Sequence, residues 1–106
     1  MWVAAYVRRC HIEGAYAVVR RRGASEAGAI FIVLDHLDTR MTLFAQAPQA
    51  LVPTEDAALD RVFVAVEGVN DAPAVEERLR REQKFDPDLW IIDVEDRQGR
   101  HFLDLV

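Results

Sequence analysis

The chain has almost no lysine. Twelve of its thirteen basic side chains are arginine, and Lys84 is the exception. Arginine is the better bidentate partner for carboxylate and phosphate. A GC-rich coding sequence inflates arginine and alanine together, however, and that bias is the simpler account. Cysteine is nearly missing too. Cys10 stands alone, so no intrachain disulfide forms, and a cysteine-based zinc site would need ligands from elsewhere. No apolar run approaches the roughly 20 residues that span a bilayer. The longest, Ala27 to Leu34, has the length of a buried strand. Residues 1–7, MWVAAYV, carry their arginines after the apolar stretch rather than before it, and no small-residue cleavage site follows. A signal peptide is therefore not expected, and the cytoplasm is. Excess positive charge is absent as well. A net charge of -5 and a pI near 5.1 disfavour nonspecific nucleic-acid binding. The dinucleotide and P-loop glycine fingerprints are missing; GASEAG at 23–28 lacks the lysine and does not lead into a helix. No Ser-His-Asp order is legible, and no cofactor or metal is expected.

What is present is an ordinary globular composition. The 106 residues are 51% hydrophobic and 29% charged, which predicts one folded domain over 1–106 with a core of its own. Trp2 to Glu13 reads as a helix. Trp2, Tyr6 and Cys10 recur every four residues beside Val3 and Val7, and Gly14 is placed to stop it. A strand over 2–7 is the alternative. Ala15 to Arg22 reads as a strand with Tyr16, Val18, Arg20 and Arg22 on one face. Ala29 to His36 is apolar on both faces, as a central strand is. The glycine-bounded loop between them predicts a β-hairpin. Met41 to Ala47 alternates as a third strand. Pro48 to Asp60 reads as irregular, with a helical turn near Asp56 to Leu59. RVFVAVEG, from Arg61, is a fourth strand or the continuation of a short helix begun at Thr54.

A helix follows from Asn70 to Phe85. Asn70 or Asp71 caps it, and Pro73 sits in the first turn. Its apolar stripe is narrow: Ala72, Val75 and Leu79. Glu76–Arg80 and Glu77–Arg81 have the spacing of ion pairs. DLWIIDVED is the last long strand, and HFLDLV returns as a short one. The expected class is α+β: a mostly antiparallel sheet of four to five strands packed with two helices, in the order α-β-β-β-β-α-β.

The most chemical-looking run is KFDPDLWIIDVED, Lys84 to Asp96. On a strand, Trp90, Ile92 and Val94 share one face, while Asp93 and Glu95 share the other, roughly 6–7 Å apart. Two such carboxylates can hold a cation or do acid–base work. They serve more ordinarily as cross-strand partners of arginines such as Arg20 or Arg22. Asp86 and Asp88 flank Pro87, and a residue before proline leaves the helical region, so FDPD is a helix end and a turn. Among the arginine clusters, Arg20 to Arg22 cannot form one patch on a strand, and the helical arginines have glutamates nearby. Arg8, Arg9 and Arg22 remain as candidates for an anion site. Cys10 and His11 point about 100° apart on a helix, too far for a dyad, and Cys10 belongs to the apolar stripe. His36 with Asp35 and Asp38 is explained by a turn, and His101 has no evident partner.

Three blocks in order, WVAAYVRRCHIEGAYAVVRRRG, EAGAIFIVLDHLD and FDPDLWIIDVEDRQGRHFL, resemble the DUF1491 proteins of alphaproteobacteria. The resemblance spans nearly the whole chain. It implies a small cytoplasmic α+β protein and transfers no catalytic residue, because the family is uncharacterised.

Two functions are carried forward. The first is a non-enzymatic interaction or regulatory module. It has an unknown protein partner or forms a homodimer, through an edge strand or the first helix with Trp2 and Tyr6 as anchor. The second is a small hydrolase or anion-binding protein using Arg8, Arg22, Asp93 and Glu95, which requires those groups to converge.

Overall fold

The structure, a computed structural model, describes residues 2–25, 28–47 and 61–106. The irregular segment expected from Pro48 to Asp60, with its helical turn near Asp56 to Leu59, lies outside the described residues, as do Glu26 and Ala27.

Helix α1 spans Trp2–Ile12. Val3, Tyr6 and Cys10 are buried, and Trp2 and Val7 pack half-buried beside them. That spacing presents one apolar stripe to a sheet. The helix ends in a Schellman turn. Gly14 takes φ +88°, the Ala15 amide donates to the Cys10 carbonyl at 2.9 Å, and the Gly14 amide donates to that of His11 at 3.1 Å.

Six strands follow. They are β1 (Tyr16–Arg21), β2 (Ile30–Asp35), β3 (Met41–Gln46), β4 (Val62–Ala65), β5 (Trp90–Glu95) and β6 (Asp104–Leu105), with helix α2 (Ala72–Phe85) between β4 and β5. RVFVAVEG thus supplies a strand. The spatial order is β1-β5-β2-β3-β4-β6. The sheet is mixed: β1–β5, β2–β3 and β3–β4 are antiparallel, and β2–β5 and β4–β6 are parallel. Six mixed strands therefore replace the four to five mostly antiparallel ones expected, while the α+β class stands. The expected β1–β2 hairpin does not form, because β5 inserts between them. The reason is burial. β5 is apolar on both faces over Trp90 to Ile92, and pairing on both sides removes more of that surface from water than an edge position would.

The sheet separates two cores. On one face α1 covers Ile30, Ile32, Leu34, Phe44, Phe63, Trp90, Ile92 and Val94. On the other, Val75 and Leu79 of α2 cover Phe31, Val33, Leu43, Leu89 and Ile91. Ala74, not the expected Ala72, completes the α2 stripe. Asp71 caps α2 by accepting from the Ala74 amide at 3.0 Å. The α2 ion pairs also differ from those expected. Arg80 meets Glu77 at 2.7 Å and Arg78 meets Glu82 at 3.4 Å, while Glu76 turns to Arg20 of β1.

Candidate functional site

The acidic run is mostly a lock between loops. Asp86 closes α2 in extended geometry (φ -131°, ψ 93°), as a residue before proline must. Its carboxylate accepts from the Asp88 amide and from the Ala29 amide, both at 2.9 Å. The Asp88 carbonyl accepts from the Ala24 amide, and the Trp90 indole donates to the Ala24 carbonyl at 2.9 Å. Ala24 and Ala29 are thus bound to the turn before β5 and to its first residue. Asp86, Asp88 and Trp90 are employed in holding the fold.

The arginines of β1 divide three ways, and a β-bulge is the cause. Val19 opposes Ile92 and Arg21 opposes Ile91, which leaves Arg20 as the extra residue. Arg20 points to the α2 face. There its guanidinium meets both oxygens of Asp93, at 2.8 and 2.9 Å, and Glu76 at 3.0 Å. Arg21 donates to the carbonyls of Leu89 and Pro87, each at 2.6 Å. Arg22 is moved to the opposite face, where it lies 5.9 Å from the Trp90 ring centroid. Arg20 and Arg22 therefore do not share the face that simple alternation predicts. Asp93 is neutralised by Arg20. Glu95 stays exposed on the α2 face, and no cation among the described residues lies within 4.0 Å of it. Arg22 and Glu95 thus sit on opposite faces. The constellation of Arg8, Arg22, Asp93 and Glu95 does not converge, which removes the hydrolase built on it.

Arg8 and Arg22 do come together with something else. A groove of about 650 Å³ runs between α1 and β1. Its floor is apolar: Val3 and Val7 from α1, Val19 from β1, and Trp90. Arg8, His11 and Arg22 border it together with Arg20, whose guanidinium is turned away to Asp93, and no carboxylate lines it. Neither Arg8 nor Arg22 forms an ion pair with any described residue. Arg9, one residue along the helix, turns away to a separate hollow of about 140 Å³ with Trp2, Tyr6 and Phe102. Volume and lining place the larger groove among ordinary ligand sites.

Several other titratable groups have structural employment. Burial raises the Cys10 thiol above its usual range, so it is a packed, unreactive side chain. Burial raises Tyr6 as well, and its hydroxyl donates to the His101 carbonyl at 2.7 Å. His101 gains the partner that was not evident, since its Nδ1 accepts from the Leu103 amide at 2.9 Å. Asp35 and Asp38 accept from the Leu37 and Arg40 amides, and His36 bonds the Thr42 hydroxyl. Asp96 is the buried carboxylate of the molecule among the described residues. Arg100 binds it at 2.8 and 3.0 Å and holds its pKa down to about 2. Among the described residues, no three His, Cys, Asp or Glu side chains are placed to share a metal ion.

The model of the family described as "Protein of unknown function (DUF1491)" matches residues 1–104. The chain belongs to the DUF1491 family. A solution structure of protein Atu0922 from A. tumefaciens is 36% identical with a TM-score of 0.83, covering 100% of this chain and 91% of that one. A crystal structure of a DUF1491 protein from Caulobacter crescentus is 31% identical with a TM-score of 0.80, covering 99% and 92%. An NMR structure of a DUF1491 protein from the same organism is 32% identical with a TM-score of 0.78, also covering 99% and 92%. No curated protein matches the chain. For this DUF1491 chain, sequence patterning singled out Arg8 and Arg22 but missed the groove they border. Val3, Val7 and Trp90 read only as members of apolar faces, and nothing in their spacing separates a buried face from the floor of an open groove.

Proposed function

We propose that the protein is a non-enzymatic, cytoplasmic binding module that docks an acidic, apolar segment of another protein in the groove between α1 and β1. One observation carries this function. On a chain of net charge -5, the groove is bordered by Arg8, His11 and Arg22 and lined by no carboxylate. A local cationic rim on an acidic molecule attracts acidic groups and repels basic ones. The apolar floor supplies the area that makes such an encounter last. The packing of Trp2 and Tyr6 supports the groove rather than these two rings as the docking surface. They stack on each other at 4.9 Å, and Tyr6 is buried.

Amide-resonance mapping tests the proposal, with an acetylated, amidated peptide alternating valine and glutamate and a second alternating valine and arginine. The expected result is saturable shifts confined to 3–11, 19–22 and the Trp90 indole, with the glutamate peptide alone. Equal shifts with both peptides, or shifts centred elsewhere, contradict it.

A further inference from the structure

Among the described residues, strand β1 has β5 as its only neighbour, so one row of its backbone N–H and C=O groups faces no described strand. It also exposes apolar side chains on both faces. Val19 points to the groove, whereas Tyr16 and Val18 point to the α2 face, 57% and 41% exposed. A small molecule, or a helix lying in the groove, would cover Val19 and leave Tyr16 and Val18 in water. A strand laid along β1 covers all three, because its own side chains alternate across the same two faces.

From this double exposure we infer that the occupant binds as an extended strand added to the free edge of β1. The inference rests on the groove function proposed above and specifies its mode. The added strand pairs with the backbone around Val19. Its groove-side residues place carboxylates at Arg8 and Arg22 with their methylenes over Val7, and its opposite residues lay apolar side chains over Tyr16 and Val18. Two features limit where it pairs. The His11 Nε2–H donates to the Ala17 carbonyl at 2.9 Å, which guards one end of the edge, and the bulge at Arg20 breaks the ladder at the other. The pairing is therefore short, and side-chain charge supplies much of its selectivity.

Charge also decides against a second copy of this chain as the occupant. β1 reads YAVVRR and contains no carboxylate. The β1 of a second copy would therefore bring no carboxylate to Arg8 and Arg22, which have no ion-pair partner among the described residues.

N-methylation of the valine–glutamate peptide provides the test, because it removes N–H donors from one chosen edge and leaves every side chain in place. Two peptides are compared, methylated at alternate residues of one edge or of the other. Strand addition predicts that one of them loses at least tenfold in affinity while the other binds like the parent, and that the parent slows exchange of the Val19 amide. If both methylated peptides bind like the parent, strand addition is wrong while the groove function survives. If the parent itself fails to bind, both fall. If light scattering shows a dimer without peptide, with β1 amides already protected, the second copy is the occupant and the inference is overturned.

Discussion

Two glycines of this chain carry different loads. Gly14 has φ +88° with open space where a Cβ would go. Gly28 has φ +87°, and a Cβ there would run into the Asp88 carbonyl. Gly14→Ala meets only the backbone penalty of a left-handed residue, about 1 kcal/mol. Gly28→Ala adds a clash against the loop that Asp86 and Trp90 hold, and is expected to cost about 3 kcal/mol. Urea unfolding of both variants checks the ratio; equal midpoints contradict the lock assigned to Asp86–Trp90. Asp96 gives a pH signature. Its folded pKa, about 2, lies below the ordinary 3.8 because Arg100 hydrogen-bonds it. The stability from this pair is therefore present above about pH 4 and is lost as pH falls from about 4 to about 2. Asp96→Asn should flatten that part of the stability–pH curve, read from urea midpoints across the range.

At the scale of elements, the pattern of residues said most about helices and least about pairing. Both helices, their stops at Gly14 and Asp86 and the Asp71 cap follow from local chemistry, and the structure has them. Asp71→Ala is expected to cost about 1 kcal/mol in unfolding free energy, the usual worth of such a cap. The bulge at Arg20 was not legible. It exists because β1 must satisfy β5, Asp93 and Trp90 together, and that demand comes from a partner some seventy positions away. Missing it put Arg22 on the wrong face and made a converging Arg22–Glu95 pair look attainable. The Arg20–Glu76 contact joins β1 to α2 but is about a third exposed on the arginine side and half on the other. A double-mutant cycle should return no more than about 1 kcal/mol.

At the scale of the molecule, the sheet order could not be read from the chain because β5 is brought in from beyond α2 to lie parallel to β2. Hairpin logic favours near neighbours, and burial of WIIDVE on both sides overrides it. The same topology leaves β1 at the edge and sets α1 beside it, and the groove is the result. None of the described helices is long and apolar enough to cross a membrane. The central claim, that Arg8 and Arg22 receive an acidic segment, is tested most directly by charge reversal. The affinity of the valine–glutamate peptide is measured for wild type, for the Arg8→Glu, Arg22→Glu double variant, and for an Arg80→Glu, Arg81→Glu control on the exposed face of α2, all with confirmed native circular dichroism. The groove variant should lose at least tenfold, about 1.4 kcal/mol, and the control far less. Equal losses in the two variants, or none in either, would contradict the claim.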